Sequence, residues 1–369
     1  MFKGFLLIFI ILFYFPLTTI AVDSVDILVE DSMIQEDFTQ ASPSVSVIEA
    51  AEIKKNNMMG LSEVLSRVAG ISVAQNGDSN QPTSVFIRGA ESRHTLVLID
   101  GIEVNDTLNP SRSFDFSNLT TENIERIEVF KGAQSVRFGS DAIGGVINII
   151  TKEGTSPASV FTNVELGSYD SLKAGLHLSG AKNNFLYSLG VNHLQSTGFS
   201  SADKNNGNSE SDGFKRLSLT TRLGWIFTNE TSLNFTLRAA GVQSDLDAFG
   251  GPGGDDPNHT SDSRQLQVGT TFKSRAFEEL LSYSLSYSLA SSVRTGENEP
   301  DALHPDQSTD YFVGVHSKIE SRNEYTLSET QRVNFGAQIQ TEMGHSENTF
   351  NGVASDLPEK TANSKGLYA

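Results

Sequence analysis

The glycine-rich stretch Ile124 to Lys152 is the first place where residue types and spacing could support chemistry. Gly132, Gly139, Gly144 and Gly145 lie between two apolar β-branched runs, and a glycine loop can hold a phosphate with its backbone N–H groups. Phosphate loops continue into a Lys-Ser or Lys-Thr pair and a helix, whereas a strand-like run follows here. We therefore interpret the stretch as a strand, a glycine loop and a strand at a domain boundary.

Catalytic residues lack a supporting pattern elsewhere in the chain. The seven histidines are scattered without a His-x-x-x-His pair, so a catalytic zinc site has little support. Gly-x-Ser-x-Gly, the turn that presents a nucleophilic serine, does not occur in the sequence. We predict that the protein is not an enzyme.

Charge and cysteine content exclude further classes. The 369 residues carry a formal net charge of −18, which disfavours a nucleic-acid partner because phosphate binding requires a basic surface. With no cysteine, the chain has neither disulfides nor thiolate-bound zinc. The acidic residues either form an ordinary solvated surface or collect in loops that gather divalent cations.

The N-terminus has the pattern of an export signal. Lys3 is followed by an apolar run from Phe5 to Leu17 and then by small residues up to Ala21. This pattern predicts a cleaved secretory signal peptide over residues 1–21. A transmembrane anchor is the alternative, but the run is short for a membrane span and contains Pro16.

Residues 44–152 have the pattern of a small mixed α/β domain. Apolar residues at i, i+3, i+4 and i+7 predict a helix over 61–68, and Gly70 follows it as a left-handed end. Asp100-Gly101 between two apolar runs predicts a tight hairpin. Short strands are predicted at 45–48, 85–88, 96–99, 127–130 and 146–150.

From Ser159 onward, apolar and polar residues alternate with a period of two. In the segment 217–227, leucines and aromatic residues share one face, while serine, threonine, arginine and glycine share the other. About nine strands long enough to cross a tilted bilayer are predicted, at 161–166, 172–178, 185–194, 217–227, 233–239, 266–272, 281–289, 311–319 and 333–339.

A soluble β-sandwich alternates in the same way, so other features must decide. The signal peptide, the aromatic residues on the apolar face and the alternation of short turns with long polar loops favour an outer-membrane barrel. The long loops are predicted at Gly198 to Gly213, Gly241 to Ser263 and Val293 to Thr309.

Four motifs in the first part of the chain resemble, in order and spacing, the plug domain of TonB-dependent outer-membrane receptors. They read Val85-Phe-Ile-Arg-Gly, Leu96-Val-Leu-Ile-Asp-Gly, Ile124-Glu-Arg-Ile-Glu-Val-Phe-Lys-Gly and Phe138-Gly-Ser-Asp-Ala-Ile-Gly-Gly-Val-Ile-Asn-Ile-Ile-Thr. The resemblance implies a mixed fold, in which a small α/β plug domain precedes antiparallel transmembrane strands of a 22-stranded barrel. It also implies uptake of a scarce ligand, driven by the TonB complex of the inner membrane.

The resemblance divides the chain into segments. Residues 22–43 would hold a linker and the TonB box, residues 44–152 the plug, and residues 153–369 part of the barrel. The space between Ala21 and the box leaves no room for a signalling domain, so transport rather than signalling is expected. A short extended box of this kind can add as a strand to the sheet edge of a partner, and here it consists of Asp26, Ile27, Leu28, Val29 and Glu30.

Within the family, the motifs look most like those of vitamin B12 (cobalamin) transporters, and a ferric-siderophore receptor is the alternative. The resemblance places ligand contacts on plug loops, at Glu91, Ser92, Arg93, Asn105 and Arg112. The two arginines could meet an anionic siderophore or pair with neighbouring acids. The acidic composition of the loops favours pairing.

Cobalamin transporters also bind calcium on acidic barrel loops, and the comparable residues here are Glu210, Asp212, Asp247 and Asp262. Calcium takes six to eight oxygen ligands, and carboxylates on two neighbouring loops could supply several of them. Ordinary solvated charge is the alternative. No cofactor is expected to be required, and calcium is an optional ligand.

Two departures from the family pattern stand out. The family locks the plug to barrel glutamates with two arginines, whereas this chain has Arg88 and Lys131. A lysine cannot make a bidentate contact with a carboxylate, so half of that lock would be looser. About nine strands cannot close a barrel, and an open edge is not stable in lipid. The sequence is therefore expected to be a fragment of a longer product, and the fragment is not expected to transport by itself.

Overall fold

The computed structural model describes residues 44–368, except 57, 59, 76–80, 108, 110, 140, 201, 249–252, 278–279 and 329–330. The predicted signal peptide and the predicted TonB box at Asp26 to Glu30 lie outside the described residues. Among the residues described, no helix is both long and apolar enough to cross a lipid bilayer.

The first part of the chain, residues 44–152, is a small α/β unit. Five of its strands form one sheet in the order β1-β6-β7-β4-β5, and β2 pairs with β3 separately. Within the larger sheet, β4 and β7 run parallel and the other neighbours are antiparallel. In chain order the elements are β1 (Val45–Glu49), α1 (Ala50–Lys55), α2 (Leu61–Ser66), β2 (Ile71–Gln75), β3 (Thr83–Ile87), β4 (Thr95–Ile99), β5 (Ile102–Glu103), β6 (Ile124–Lys131), α3 (Ser135–Phe138) and β7 (Gly145–Thr151).

The core of the α/β unit forms between α2 and the strands. Leu61 and Leu65 on α2, and Ile127 and Ile147 on β6 and β7, have no exposed surface. Complete burial of one such side chain stabilises the fold by roughly 1.5–3 kcal/mol. The helical spacing predicted at 61–68 is confirmed, and Gly70 beyond the helix has the expected positive φ of 84°.

The predicted hairpin at Asp100-Gly101 joins β4 to β5. Both residues have positive φ, 50° and 79°, as the mirror-image turns of hairpins require. Asp100 has a second role that the turn pattern does not predict. Its carboxylate accepts hydrogen bonds from the backbone N–H of Thr151 at 2.9 Å and from the Thr151 hydroxyl at 2.7 Å. The hairpin is thereby fastened to the end of β7.

The glycine loop between β6 and β7 contains α3, so the predicted strand, loop and strand include a short helix. Gly145 begins β7 at a point where a β-carbon would overlap the Phe130 carbonyl oxygen and lie 2.8 Å from Ile87 Cδ1. Only glycine allows the two backbones to approach this closely. Gly145 therefore serves the close packing of β6 and β7.

The rest of the chain forms one large antiparallel sheet of eleven strands, in which each strand from β8 to β17 pairs with its neighbours in sequence and β18 pairs with β16. The strands are β8 (Ser159–Gly167), β9 (Ser171–Lys182), β10 (Phe185–Ser196), β11 (Phe214–Thr228), β12 (Thr231–Asp245), β13 (His259–Ala276), β14 (Leu281–Asn298), β15 (Ser308–Ser328), β16 (Gln331–Phe350), β17 (Val353–Ala354) and β18 (Leu357–Tyr368). All nine predicted strands are present. The strands β17 and β18 were not among the nine.

The two faces of the large sheet have opposite polarity. Leu217, Trp225 and Leu285 point away from the α/β unit and are 51%, 39% and 53% exposed. Polar side chains on the other face are buried, among them Arg216, Arg222, Asn234, Arg238, Gln267 and Glu320. An apolar exterior around a polar interior is typical of membrane barrels and is the reverse of a soluble protein.

Long loops and short turns lie at opposite ends of the large sheet, as predicted. The three long loops, here called the first (197–213), second (246–258) and third (299–307), lie together at one end, the loop rim. The second and third are shorter than predicted because β12, β13 and β14 extend several residues into the polar segments.

Candidate functional site

The α/β unit lies against the polar face of the large sheet, and Arg112 makes the densest link between them. Its Nη1 donates to both carboxylate oxygens of Glu342 on β16, at 2.9 and 2.7 Å. Its Nη2 donates to Asp141 at 2.9 Å and contacts Glu103 at 3.4 Å. The hydrogen bonds to Glu342 raise the pKa of Arg112 above its usual value. Arg112 is thus paired with acids, the alternative that the sequence favoured.

Arginines of the large sheet hold the α/β unit from the opposite side. Arg222 on β11 is buried, donates to the Thr151 carbonyl oxygen at 2.8 Å and lies 3.6 Å from the Asp100 carboxylate. Arg216 donates to the Ser117 carbonyl oxygen at 2.6 Å. At these contacts the sheet supplies the cation and the α/β unit supplies the acceptor. The lock implied by the resemblance has the opposite polarity.

The two residues predicted to form that lock contact other parts of the α/β unit. Lys131 is buried, and its ammonium group donates to the Ser46 hydroxyl at 2.9 Å and the Ala69 carbonyl oxygen at 3.2 Å. Arg88 has a positive φ of 51°, and its Nη1 would lie 3.5 Å from a β-carbon added at Gly132. These contacts include no barrel glutamate, so the lock through Arg88 and Lys131 stays a prediction.

The predicted ligand-contacting residues lie in two different environments. Ser92 begins a short 3₁₀ turn beside an exposed ion pair, in which Arg93 Nε lies 2.5 Å from a Glu91 oxygen. Asn105 is buried, and its amide oxygen accepts from the Val97 N–H at 2.8 Å. The Asn105 amide nitrogen donates to two further carbonyl oxygens. Asn105 therefore positions its loop, and ligand contact by any of these residues stays a prediction.

A cavity of about 470 Å³ lies between the loops of the α/β unit and the loop-rim half of the large sheet. This volume is in the range of small-molecule sites. Arg294 is the one arginine or lysine among the described lining residues, and it pairs with Asp106 at 2.9 Å. The sheet contributes mainly hydroxyl and amide groups, from Ser244, Ser261, Ser263, Gln265, Gln267 and Ser291.

Three carboxylates meet where the first and second long loops touch. The ligand atoms of Glu210, Asp247 and Asp255 all lie within 4.8 Å of one another. Burial and the charges of Asp247 and Asp255 raise the pKa of Glu210 to about 7. Asp247 Oδ1 is buried and has no hydrogen-bond partner in the described part of the chain. Repelling carboxylates with an unused oxygen are the environment that a divalent cation neutralises.

The cluster contains two of the four residues predicted as metal ligands. Glu210 and Asp247 come together as predicted, and Asp212 is buried close enough for its charge to raise the pKa of Glu210 further. Asp262 lies elsewhere, because β13 already begins at His259 and carries Asp262 along the strand, where it accepts from Arg264 at 2.9 Å. Asp255 is the third member of the cluster, beside Glu210 and Asp247.

Sequence reasoning missed Asp255, although the signal was present in the run Gly253-Gly-Asp-Asp-Pro257 of an acidic, glycine-rich loop. The carboxylate of Asp255 accepts from the backbone N–H groups of Ser209 and Glu210, at 2.5 and 2.8 Å. These bonds tie the first long loop to the second. The side chain is held in place before any cation binds.

Comparison with known proteins finds one family model and several similar proteins. Residues 39–146 match the TonB-dependent Receptor Plug Domain. The chain is 26% identical over 346 residues to the vitamin B12 transporter BtuB of Vibrio vulnificus (strain CMCP6), covering 93% of this chain and 54% of that protein. The chain thus spans about half the length of this curated relative.

Solved structures show the same fold. The unliganded ferric citrate transporter FecA superposes with a TM-score of 0.70 at 16% identity, covering 88% of this chain and 52% of that one. The copper transporter OprC superposes with a TM-score of 0.71 at 15% identity, covering 89% of this chain and 51% of that one. The α/β unit is therefore a plug domain, and the large sheet has the fold of part of a TonB-dependent receptor barrel.

Proposed function

We propose that this chain, with its TonB-dependent receptor plug and partial barrel, belongs to a receptor that imports a scarce ligand across the outer membrane. The observation that carries the proposal is the polar interface between the α/β unit and the large sheet. Ion pairs such as Arg112 with Glu342 can be broken and remade without exposing the apolar core of either part. A transporter needs a partition of this kind, which closes the barrel and yet can move.

The ligand that we favour is cobalamin. A cavity lined by hydroxyl and amide groups suits a neutral ligand that makes many hydrogen bonds. An anionic ferric siderophore would instead face Asp106, Asp115 and Asp247, with Arg294 already paired. The similarity to a vitamin B12 transporter supports the same choice.

Calcium is the cation that we propose for Glu210, Asp247 and Asp255. Its ligands would be carboxylate oxygens, with backbone carbonyls or water completing the six to eight positions that calcium prefers. Because the three residues lie on the first and second long loops, the ion would stiffen the loop rim beside the cavity. Calcium would therefore strengthen ligand binding without touching the ligand.

The plug domain and the polarity of the large sheet indicate the outer membrane. Export through a signal peptide over residues 1–21 is part of our proposal. So is coupling to the TonB complex through Asp26 to Glu30, which would pair as a strand with its partner.

Uptake of labelled cobalamin tests the function, in cells that produce the chain as part of a full-length receptor. Deletion of Asp26 to Glu30 should abolish uptake and leave binding at the cell surface unchanged. Deletion of five other tail residues, Ser32 to Glu36, should preserve both. Unchanged uptake after the first deletion would contradict TonB coupling through this segment. Absence of cobalamin binding, with iron-repressed expression, would favour the siderophore receptor.

Calcium binding has a matched pair of variants. Asp255→Asn should abolish calcium-dependent cobalamin binding, because it removes a charge from the three-carboxylate cluster. Asp262→Asn should leave it intact, because Asp262 is paired with Arg264 on the strand. Equal effects of the two substitutions, or binding that survives chelation of calcium, would rule out this site.

A further inference from the structure

A second group of possible ligand atoms lies where the third long loop meets the second. His304 of the third loop packs against Asp256 of the second, with Asp301 beside it, and their ligand atoms lie within 4.8 Å of one another. Asp256 is 1% exposed and His304 is 8% exposed. Two carboxylates this close, one of them fully buried, are costly to hold without a compensating positive charge.

The hydrogen bonds of His304 define what its ring can do. Nε2 donates to the Gly253 carbonyl oxygen at 2.7 Å, because a carbonyl oxygen can only accept. Nδ1 faces Asp301 Oδ2 at 3.3 Å and Asp256 Oδ2 at 3.9 Å. With its proton on Nε2, the neutral ring aims the Nδ1 lone pair at two carboxylate oxygens. An Nε2–H bond to a backbone carbonyl is also how proteins orient a histidine that binds a metal.

Both carboxylates are oriented in the same way. Asp301 Oδ1 accepts from the backbone N–H groups of Leu303 and His304, at 2.7 and 2.6 Å, which leaves Oδ2 to face the imidazole. Asp256 Oδ2 accepts from the Asn298 amide at 2.9 Å. These supporting bonds orient His304 Nδ1 and the Oδ2 atoms of Asp256 and Asp301 toward one another.

Nδ1 and Asp301 Oδ2 form a long hydrogen bond of 3.3 Å, and the separations also fit three ligands of one cation. A charge-assisted N–H···O bond is about 2.7–2.9 Å long, shorter than the 3.3 Å between Nδ1 and Asp301. Zinc bonds of about 2.0–2.2 Å at tetrahedral angles place neighbouring ligand atoms roughly 3.4 Å apart. The separation from Asp256 would reach this value after a movement of about half an ångström.

We propose that His304, Asp256 and Asp301 bind a divalent transition-metal cation of the Zn²⁺ type, with water in the fourth position. One imidazole and two carboxylates form a ligand set that suits zinc, whereas calcium prefers oxygen ligands alone. The site is therefore distinct in chemistry from the carboxylate cluster of Glu210, although Asp255 and Asp256 are adjacent. A bound cation would fasten the third long loop to the second.

The competing occupant is a proton on Nδ1. The hydrogen bond to Gly253, followed by the charges of Asp301 and Asp256, raises the pKa of His304. A metal must displace that proton, so binding should be measured near neutral pH or above.

The test uses the chain as part of the full-length receptor in detergent, with Zn²⁺ as the probe and millimolar Ca²⁺ present to occupy the all-carboxylate cluster. We expect one zinc ion per chain by elemental analysis after dialysis. Co²⁺ substitution should give the visible absorption of a four-coordinate site. No retained zinc in the wild-type chain would overturn the proposal and leave the proton as the occupant.

Variants then identify the ligands. His304→Asn should abolish zinc binding, and Asp301→Asn should do the same with less risk to folding, because its side-chain oxygen still accepts the two backbone bonds. Asn298→Ala should weaken binding on the order of 10- to 100-fold, as loss of a supporting bond does. His345→Asn is the matched control, since His345 faces one carboxylate, Glu347, at 3.1 Å. Full zinc occupancy in both His304→Asn and Asp301→Asn would place the metal elsewhere and disprove the site.

Discussion

The α/β unit and the large sheet follow opposite rules of burial. In the α/β unit, Leu65 and Ile147 lie inside and the charged residues mostly lie outside, as water requires. In the large sheet, Arg222 and Gln267 are buried on the inner face, while Leu285 is exposed on the outer face. The first region of the chain therefore has the burial pattern of a protein that folds in water. The second has the pattern of a protein with lipid outside and a polar interior.

This difference explains why the contact between the two regions is polar. The outer surface of the α/β unit is polar because it folds in water, and the inner face of the sheet is polar because its apolar residues face lipid. Their contact is consequently built from ion pairs and hydrogen bonds, with Arg112 and Arg222 at its densest points. Such a contact is specific, but little buried apolar surface stabilises it.

The largest expected effect comes from Arg222→Met, which removes the cation from this boundary. Asp100 and Glu153 would both lose their counter-charge, and breaking a buried pair costs about 3–5 kcal/mol. Hydrogen exchange of the β7 amides should report the loss, because Arg222 also holds the Thr151 carbonyl. Arg264→Met is the control, since Arg264 is 73% exposed and its pair with Asp262 contributes about 1 kcal/mol or less.

The cost of Arg222→Met should also depend on pH. Burial raises the pKa of Asp100, so the folded state holds a proton more readily than the unfolded state does. A carboxyl of this kind lowers stability as pH rises through its titration, and the effect is relieved as pH falls. The difference from wild type should therefore be smaller in mild acid than at alkaline pH. Burial and the charge of Asp100 likewise raise the pKa of Glu153 to about 7, so a pH-independent difference would mean that neither carboxyl is left uncompensated.

Ile147→Ala and Leu285→Ala compare the two regions directly, because each removes apolar volume from a strand. Ile147 is completely buried, and its truncation should cost about 2–5 kcal/mol in urea unfolding of the α/β unit. Leu285 is 53% exposed, and its truncation in detergent should cost under about 1 kcal/mol. Equal costs would show that the large sheet buries its outer face in some other way.

The smallest effect is expected from Arg112→Lys, which retains the charge but lacks the two nitrogens through which Arg112 binds Glu342 and Asp141 at once. A loss of about 1.5 kcal/mol in coupling between the two regions is expected, measured by a double-mutant cycle with Glu342→Gln. Arg93→Lys provides the comparison, since its pair with Glu91 is more than half exposed on both sides. A coupling below about 0.5 kcal/mol would indicate that Asp141 and Glu103 hold Arg112 without Glu342.

Strong periodic patterns made most of the fold predictable. The alternation in 217–227 and 281–289 predicted strands and their outward faces, and the four apolar positions of 61–68 predicted α2. The helix α1 was not predicted, because Ile53 is the one buried residue among its six. The additional strand β18 was also missed, since its residues are mostly exposed and polar. Weak amphipathicity left no signal in either case.

The candidate site was predictable only in part. The sequence identified Glu210 and Asp247 as acids on neighbouring loops, and the structure brings them together. It could not distinguish Asp255 from Asp262, which are seven positions apart, because the strand boundary at His259 decides which carboxylate stays in the loop. Likewise, no spacing rule connects Asp256 with His304, which meet through the packing of two separate loops.

The sequence by itself showed the two contrasting hydrophobic periods and the motifs of the plug domain, and it predicted an export signal. Each of these features depends on residues that are close together in the chain. Only the tertiary structure showed which residues that are distant in sequence contact one another. Arg112 reaches Glu342 across 230 positions, and Arg222 reaches Asp100 from another strand. Long-range pairing of this kind depends on how the α/β unit rests against the sheet, which local spacing does not encode.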